Sequence, residues 1–564
     1  MDYRTLAPTA RTAVLAALAA LANAPAVPNT PSDDRAATIQ AIIDDIVAAK
    51  ASKPSRLTTK DISLALAAVK SLGRVAAGSE VIATEQNLRH MLDLASDLGS
   101  PDASKQAMRC IANALLLVPT ARDILVDLDG DELCTRLYID NPSVEYLFLA
   151  SRLLYFMSHT DGEFIARAVK QYKLPTLLAQ RLESVLSAVQ SDTPFARDAL
   201  TDMLKLHFTA VNKYARLVAL NSDAILGEYW DDVFDPTAAP LVRLFHSLPS
   251  PPSNPLAPPL THVVHALLNI PVAPYAHLLF PSDSNLSVQS TSTRRSSSSG
   301  TQSPRPSLSV DRPTGSAVET SSSGGSPLAR ALNLLNRKSS PNRSTSKSPT
   351  PTSDSALRAL SLLQNLLAVH LPGTLDPDDS AVRNASKLKG VVLDEVASPV
   401  VALVTRFVLG DDGARARISA VVLPPDMDRS SPLEKRDDFL GRCLRLMTSV
   451  YYPTLKDGIG EMLYTICGSD GPALSAAIGY GNAAGFLYNR GIMAPPPGSS
   501  AGDDVNPITG TREVPSGPPL ADMSDEEKQR EAERLFVLFE RMERMGMAKN
   551  PIREAFHSGK FQGP

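Results

Sequence analysis

The stretch Gly479-Tyr480-Gly481-Asn482-Ala483-Ala484-Gly485 is the part of this chain most like a phosphate-binding loop. A dinucleotide loop needs Gly-x-Gly-x-x-Gly directly after a strand, so that backbone amides can close on a pyrophosphate. Here three residues part the second and third glycines, and the preceding residues, Ile459 to Ile478, have helical periodicity. The stretch therefore reads as a tight turn between packed helices, with Gly481 and Gly485 letting backbones approach. Other chemistries are no better supported. The chain has no Gly-x-x-x-x-Gly-Lys-Ser/Thr, no His-Glu-x-x-His and no Gly-x-Ser-x-Gly. His262 and His265 lack a carboxylate or cysteine at ligand spacing and read as packing or surface residues. Cys110, Cys134, Cys443 and Cys467 are scattered through apolar helical patterns, as reduced core residues would be. No bond-making group, cofactor or metal is expected.

What would position a site is helical throughout. Ile62, Leu64, Leu66, Val69 and Leu72 form one stripe, and Leu147, Leu149, Leu153 and Leu154 cover neighbouring faces. Helices of roughly 10–18 residues with short breaks are how armadillo or HEAT repeats of about 40–47 residues look. Such units bury their apolar faces only against neighbours, so the expected fold is an all-α solenoid whose concave side suits a peptide. At 564 residues the chain exceeds one compact domain, and its net charge of −4 argues against a nucleic-acid binder. Arg4 and Arg11 before an Ala/Leu run imitate a signal peptide, but Asp2 and the lack of a disulfide framework favour an ordinary first helix in a cytosolic protein.

The expected organisation is repeats over 1–280, a disordered Ser/Thr/Pro-rich insertion over 281–355, and repeats again over 356–491. A linker over 492–522, a helix over 523–548 and a tail over 549–564 follow. The insertion is too poor in apolar residues to offset its ordering entropy. Leu328, Leu332 and Leu335 within it could form a short basic helix, or a transient one with no partner. Ser524 and Glu527 form a capping box at the head of the last helix, where Leu535, Leu538, Phe539 and Met542 share a face.

Several blocks resemble one family, the synembryns, which are cytosolic chaperones and guanine-nucleotide exchange factors for heterotrimeric G-protein α subunits. They include Gln106-Ala107-Met108-Arg109-Cys110-Ile111-Ala112-Asn113, His265-Ala266-Leu267-Leu268-Asn269-Ile270-Pro271 and Glu395-Val396-Ala397-Ser398-Pro399-Val400-Val401. Val422-Leu423-Pro424-Pro425, the glycine block itself, Asn506-Pro507-Ile508-Thr509-Gly510 and Met523-Ser524-Asp525-Glu526-Glu527-Lys528 follow in the family's order. The resemblance is loose over 60–280 and good over 385–548.

The resemblance implies a solenoid groove that grips the C-terminal helix and nucleotide-binding domain of Gα, in a chain that works as a monomer without cofactor. Lys70 and Arg74, one turn apart on a helical face, could meet carboxylates of the Gα tail or be a solvated pair. Asn113 could hold an extended peptide or cap a helix end. Tyr155 and Phe208 match family aromatics, with core packing as the alternative, and Thr209 stands where an Asn usually follows Phe208. Arg415 matches a basic position, with Ala416 and Ser419 thinning the patch. Leu535 and Phe539 would lie on an arm that grips the partner or docks back on the solenoid. Asn482, Asn489 and Arg490 read as structural. Ser500, with Asp503 at acidophilic-kinase spacing, is a candidate phosphosite.

Overall fold

The computed structural model describes residues 2–24, 32–140, 143–160, 163–218, 230–281, 354–388, 390–492 and 505–512. Most of those residues are helical. The helices are α1 (Arg11–Ala22), α2 (Ser32–Lys50), α3 (Ile62–Leu72), α4 (Ala76–Ile82), α5 (Glu85–Ala95) and α6 (Pro101–Leu117). They continue as α7 (Ala121–Asp127), α8 (Gly130–Asp140), α9 (Val144–Met157), α10 (Glu163–Lys170), α11 (Leu174–Gln190) and α12 (Ala196–Val218). Then come α13 (Asp235–Ser247), α14 (Leu260–Leu267), α15 (Ala276–Leu279), α16 (Ser355–His370), α17 (Ser380–Leu388) and α18 (Leu393–Gly410). The last are α19 (Asp412–Val422), α20 (Phe439–Met447), α21 (Pro453–Ile466), α22 (Gly471–Ile478) and α23 (Tyr480–Asn489).

Local signals start these helices. Thr84, Ser143, Asp411 and Asp438 accept hydrogen bonds from backbone amides of the first turns of α5, α9, α19 and α20. Pro101 and Pro453 occupy first helical positions, where a missing N–H costs nothing.

Packing turns the helices into repeats. α4, α5 and α6 pack on one another, as do α7, α8 and α9, and then α10, α11 and α12. In each triplet two preceding helices lean on a third. The third helices stack directly, α3 on α6, α6 on α9 and α9 on α12, with α14 beyond them. α14 meets α18, and α18 meets α21, so the ladder runs through the chain. Residues at helical spacing fill it: Met108, Ile111 and Leu115 on α6, Leu147, Leu154 and Met157 on α9, and Leu200, Met203, Leu204 and Val211 on α12 are buried. The architecture is the all-α repeat solenoid that the periodicity implies. α1 packs on α3 and buries Val14 and Leu18, so the Ala-rich segment is built into the stack.

The stack continues on the far side of residues 282–353, which lie outside the described residues. His246 Nε2 and Ser355 Oγ are 2.9 Å apart, and Arg358 donates to Leu248 O at 2.7 Å. The buried Arg406 donates to Ile270 O at 2.8 Å. Near α12, Trp230 packs tilted or edge-on among His207, Phe234 and Tyr275, and its indole nitrogen is 3.1 Å from both Asp235 Oδ1 and Tyr275 Oη.

Two local expectations are corrected. Ile459 to Ile478 is not one helix: α21 ends at Ile466, and Gly468 (φ 76°) and Ser469 (φ 59°) turn the chain before α22. Lys70 and Arg74 do not share a helical face: α3 ends at Leu72, Gly73 follows as its C-cap, and Arg74 lies outside the helix.

Candidate functional site

The glycine block is a docking surface for the chain's own backbone. Gly479, at φ 85°, joins α22 to α23. Tyr480 N donates to Pro507 O at 2.9 Å and Gly481 N donates to Ile508 O at 2.8 Å, so residues 505–512 satisfy the open amides of α23. A Cβ at Gly479 would come within 2.6 Å of Gly510 N, and one at Gly481 within 3.1 Å of Ile508 O. Gly485 has open space instead, so the close approach uses Gly479 and Gly481 rather than Gly481 and Gly485. Arg429 fastens the segment by donating to Gly510 O at 2.7 Å and to Ala477 O at 2.8 Å. Asn482 donates to Ile478 O at 2.8 Å, and Arg490 pairs with Glu461 beside Tyr464 and Phe486. These side chains hold the end of the stack together.

The ladder carries a different kind of surface. At one end Lys70 is half-buried; burial, with the charges of Arg109 and Arg74, lowers its pKa. Asn113 Nδ2 donates to Lys70 O at 3.0 Å, so a side chain of α6 caps a terminal carbonyl of α3. The cap is real, but it serves the neighbouring helix rather than its own. Arg109 pairs with Glu145, which Lys105 also meets at 2.8 Å. Burial pushes the Glu145 carboxyl up, yet the hydrogen bonds from Lys105 and Arg109 outweigh it and hold its pKa below the usual value.

The row continues on α9 and α12. Arg152 donates to Asp202 at 2.8 Å, and Lys205 lies 3.6 Å from the same carboxylate. Burial of Asp202 wins over both cations and raises its pKa. Lys205 Nζ lies 5.7 Å from the centre of the Tyr155 ring, which meets His159 edge-on at 4.8 Å. Phe208 lies 6.1 Å from His265, and His265 lies 6.0 Å from His262. Burial, helped by Lys205 and His265, pushes His262 down to about 4; burial lowers His265 as well. Both are half-buried, neutral rings at physiological pH.

The structure thus brings Lys70, Asn113, Tyr155 and Phe208 onto one ladder of stacked helices, with Arg74 just beyond the end of α3. Tyr155 and Phe208 are partly exposed, and Tyr155 packs against the core. Asn212, one turn after Phe208, donates to its carbonyl at 2.7 Å. Arg415 is on α19, paired with Asp412 of the same helix at 2.9 Å, and does not join this row among the described interactions. Leu535, Phe539 and Ser500 lie outside the described residues, as do the 523–548 helix and most of the 492–522 linker. Sequence reasoning missed Arg109, Arg152, Lys205 and Phe195. The first three recur at the spacing of successive third helices, which is the signal that could have found them.

The packing defines a helical-repeat protein whose stacked helices carry cations and partly exposed aromatics. The profile of the Ric8 family, described as guanine nucleotide exchange factor synembryn, matches residues 65–560, and the chain belongs to that family. Among curated relatives, "Chaperone Ric-8A" of Rattus norvegicus is 32% identical over 167 residues, 27% of this chain and 31% of the relative. The Xenopus laevis protein of the same name is 31% identical over 171 residues, 28% of this chain and 32% of the relative. The alignment spans about a third of the length of these relatives. Of solved structures, an engineered protein covers 82% of this chain and 96% of its own at 16% identity and a TM-score of 0.32. The fold assignment rests on the packing above. Among the described residues no helix is long and apolar enough to cross a membrane.

Proposed function

We propose that this chain is a guanine-nucleotide exchange factor and folding chaperone for heterotrimeric G-protein α subunits. It acts as a monomer on the nucleotide-free or GDP-bound form. The observation that supports this most directly, within a synembryn family member, is the row from Lys70 and Arg74 through Asn113, Tyr155 and Lys205 to Phe208. Cations and half-exposed aromatics along stacked helices suit a helical peptide that carries carboxylates and an apolar face. The C-terminal helix of Gα is the occupant the family relationship suggests.

Exchange by this route breaks no covalent bond in the protein that performs it. GDP is held by the loops of Gα. A partner that binds empty Gα more tightly than loaded Gα weakens nucleotide binding by the same ratio. A hundredfold shift needs about 2.7 kcal/mol of differential binding. GTP expels the factor by the same reciprocity, and a surface that prefers empty Gα also shelters it before nucleotide completes its fold.

The test is release of fluorescent GDP from purified Gα, with wild type and with a Lys70→Glu/Arg74→Glu double variant. Wild type should accelerate release, and the variant should lose most of that acceleration at an unchanged unfolding temperature. A wild-type protein that binds Gα peptides yet leaves GDP release untouched would make it a scaffold.

A further inference from the structure

Four side chains, one from α6, two from α9 and one from the residue before α12, stack beside the ladder. Arg109 of α6 lies over the Phe195 ring at 5.9 Å. Phe195 stacks on Phe148 of α9 with centroids 5.7 Å apart and planes inclined by 15°. Arg152 lies over Phe148 at 4.3 Å. Phe148 is buried, but Phe195 is 40% exposed. Both guanidiniums are held at their edges, Arg109 by Glu145 and Arg152 by Asp202.

Local preference does not explain Phe195. It stands at the N-cap of α12, where its carbonyl accepts from Ala199 N at 2.8 Å. Ser, Thr, Asp and Asn fill that position because their side chains bond the open amides; a phenyl ring cannot. Its φ of 66° is in the left-handed region, which a bulky L-residue adopts only under constraint. The chain keeps an exposed aromatic where a small polar residue or glycine would suit the backbone better. Departures of this sort concentrate at recognition sites.

We propose that Phe195 is a specificity-determining residue of the partner surface: its solvent-exposed part receives an apolar side chain of a bound peptide, while Arg109, Arg152, Lys70 and Arg74 favour carboxylates beside that side chain. The inference rests on the peptide-binding reading above and adds the residue that selects for an apolar anchor. A stacked aromatic pair flanked by two cations fits an acidic peptide with one buried apolar side chain, and disfavours a uniformly polar or basic one.

The experiment is calorimetric titration of the full chain with a synthetic peptide of the Gα C-terminal helix, and with versions of that peptide in which each apolar residue is changed to Ala. The protein variants are Phe195→Gly, which accommodates the backbone angle, and Phe195→Tyr, which keeps the ring. Phe195→Gly should fold cooperatively and weaken the parent peptide about tenfold, as loss of an aromatic anchor does. Phe195→Tyr should restore affinity. One peptide Ala change should cost wild type affinity and cost Phe195→Gly almost none. If wild type binds and Phe195→Gly binds equally well, the proposal fails and the peptide-binding reading stands. If Phe195→Gly weakens every peptide by the same factor, Phe195 only shapes the fold and the proposal also fails. If wild type binds no such peptide, both fall.

Discussion

Arg417 and Asp354 form an ion pair, with Nε to Oδ2 at 2.5 Å, where the chain re-enters the stack. The same guanidinium lies 5.8 Å from the ring centre of Phe280, the residue at which the preceding repeat ends. Phe280 in turn meets Phe407 edge-on at 5.5 Å. Asp354 also caps α16, accepting from Ala356 N and Leu357 N. One arginine therefore touches both ends of the stretch that spans 282–353. Replacing that stretch with a flexible linker of about ten residues should leave thermal unfolding nearly unchanged, because loop-closure entropy grows only slowly with length. Arg417→Ala should lower stability by about 2 kcal/mol, since it leaves a mostly buried carboxylate without its counter-charge. Denaturant titration checks both, and a large loss on excision would show that the stretch itself contributes to the stack.

The glycines near the end of the stack should separate cleanly by substitution. Gly479→Ala forces a side chain into φ 85° and against Gly510 N. It should release residues 505–512, seen as lost hydrogen-exchange protection at the Tyr480 and Gly481 amides. Gly485→Ala, with open space around it, should keep that protection and gain about 0.5–1 kcal/mol from helix propensity.

Acid should destabilise the protein well before its carboxylates titrate. Burial pushes His207, His246 and His262 down to about 4, and lowers His265. In the unfolded chain each returns to about 6.5. Below that value the unfolded state binds more protons, so stability falls from about pH 6.5 down to about pH 4. The fully buried His207 contributes about 3 kcal/mol of that loss at the lower end. Urea midpoints measured from pH 7.5 to 4.5 should fall steadily, and His207→Gln should flatten the slope.

Partner binding should weaken with added salt, because Arg74 is exposed and Lys70 half-buried. Asn113→Ala should cost about 1 kcal/mol of stability through the Lys70 carbonyl it leaves open.

The repeat architecture was legible because helical period survives even where the repeat consensus does not: the buried stripes of α6, α9 and α12 stand in the sequence. Boundaries between short helices were less so. Gly73 divides Lys70 from Arg74, and Gly468 with Ser469 divides α21 from α22, yet nothing local distinguishes these glycines from tolerated ones inside a helix. The glycine block could be denied a phosphate role from its spacing alone, whereas its true partner, the Asn506–Gly510 turn, is a tertiary fact. Phe195 was invisible for the same reason: a phenyl ring at a helix start argues for nothing until Phe148 and Arg109 are seen around it.

The chain has a single tryptophan, Trp230. Its ring sits 6.2 Å from the buried His207, the residue next to Phe208 on α12. Binding of a Trp-free peptide at Phe208 should therefore change intrinsic fluorescence, with no dye attached and no background from a second indole of this chain.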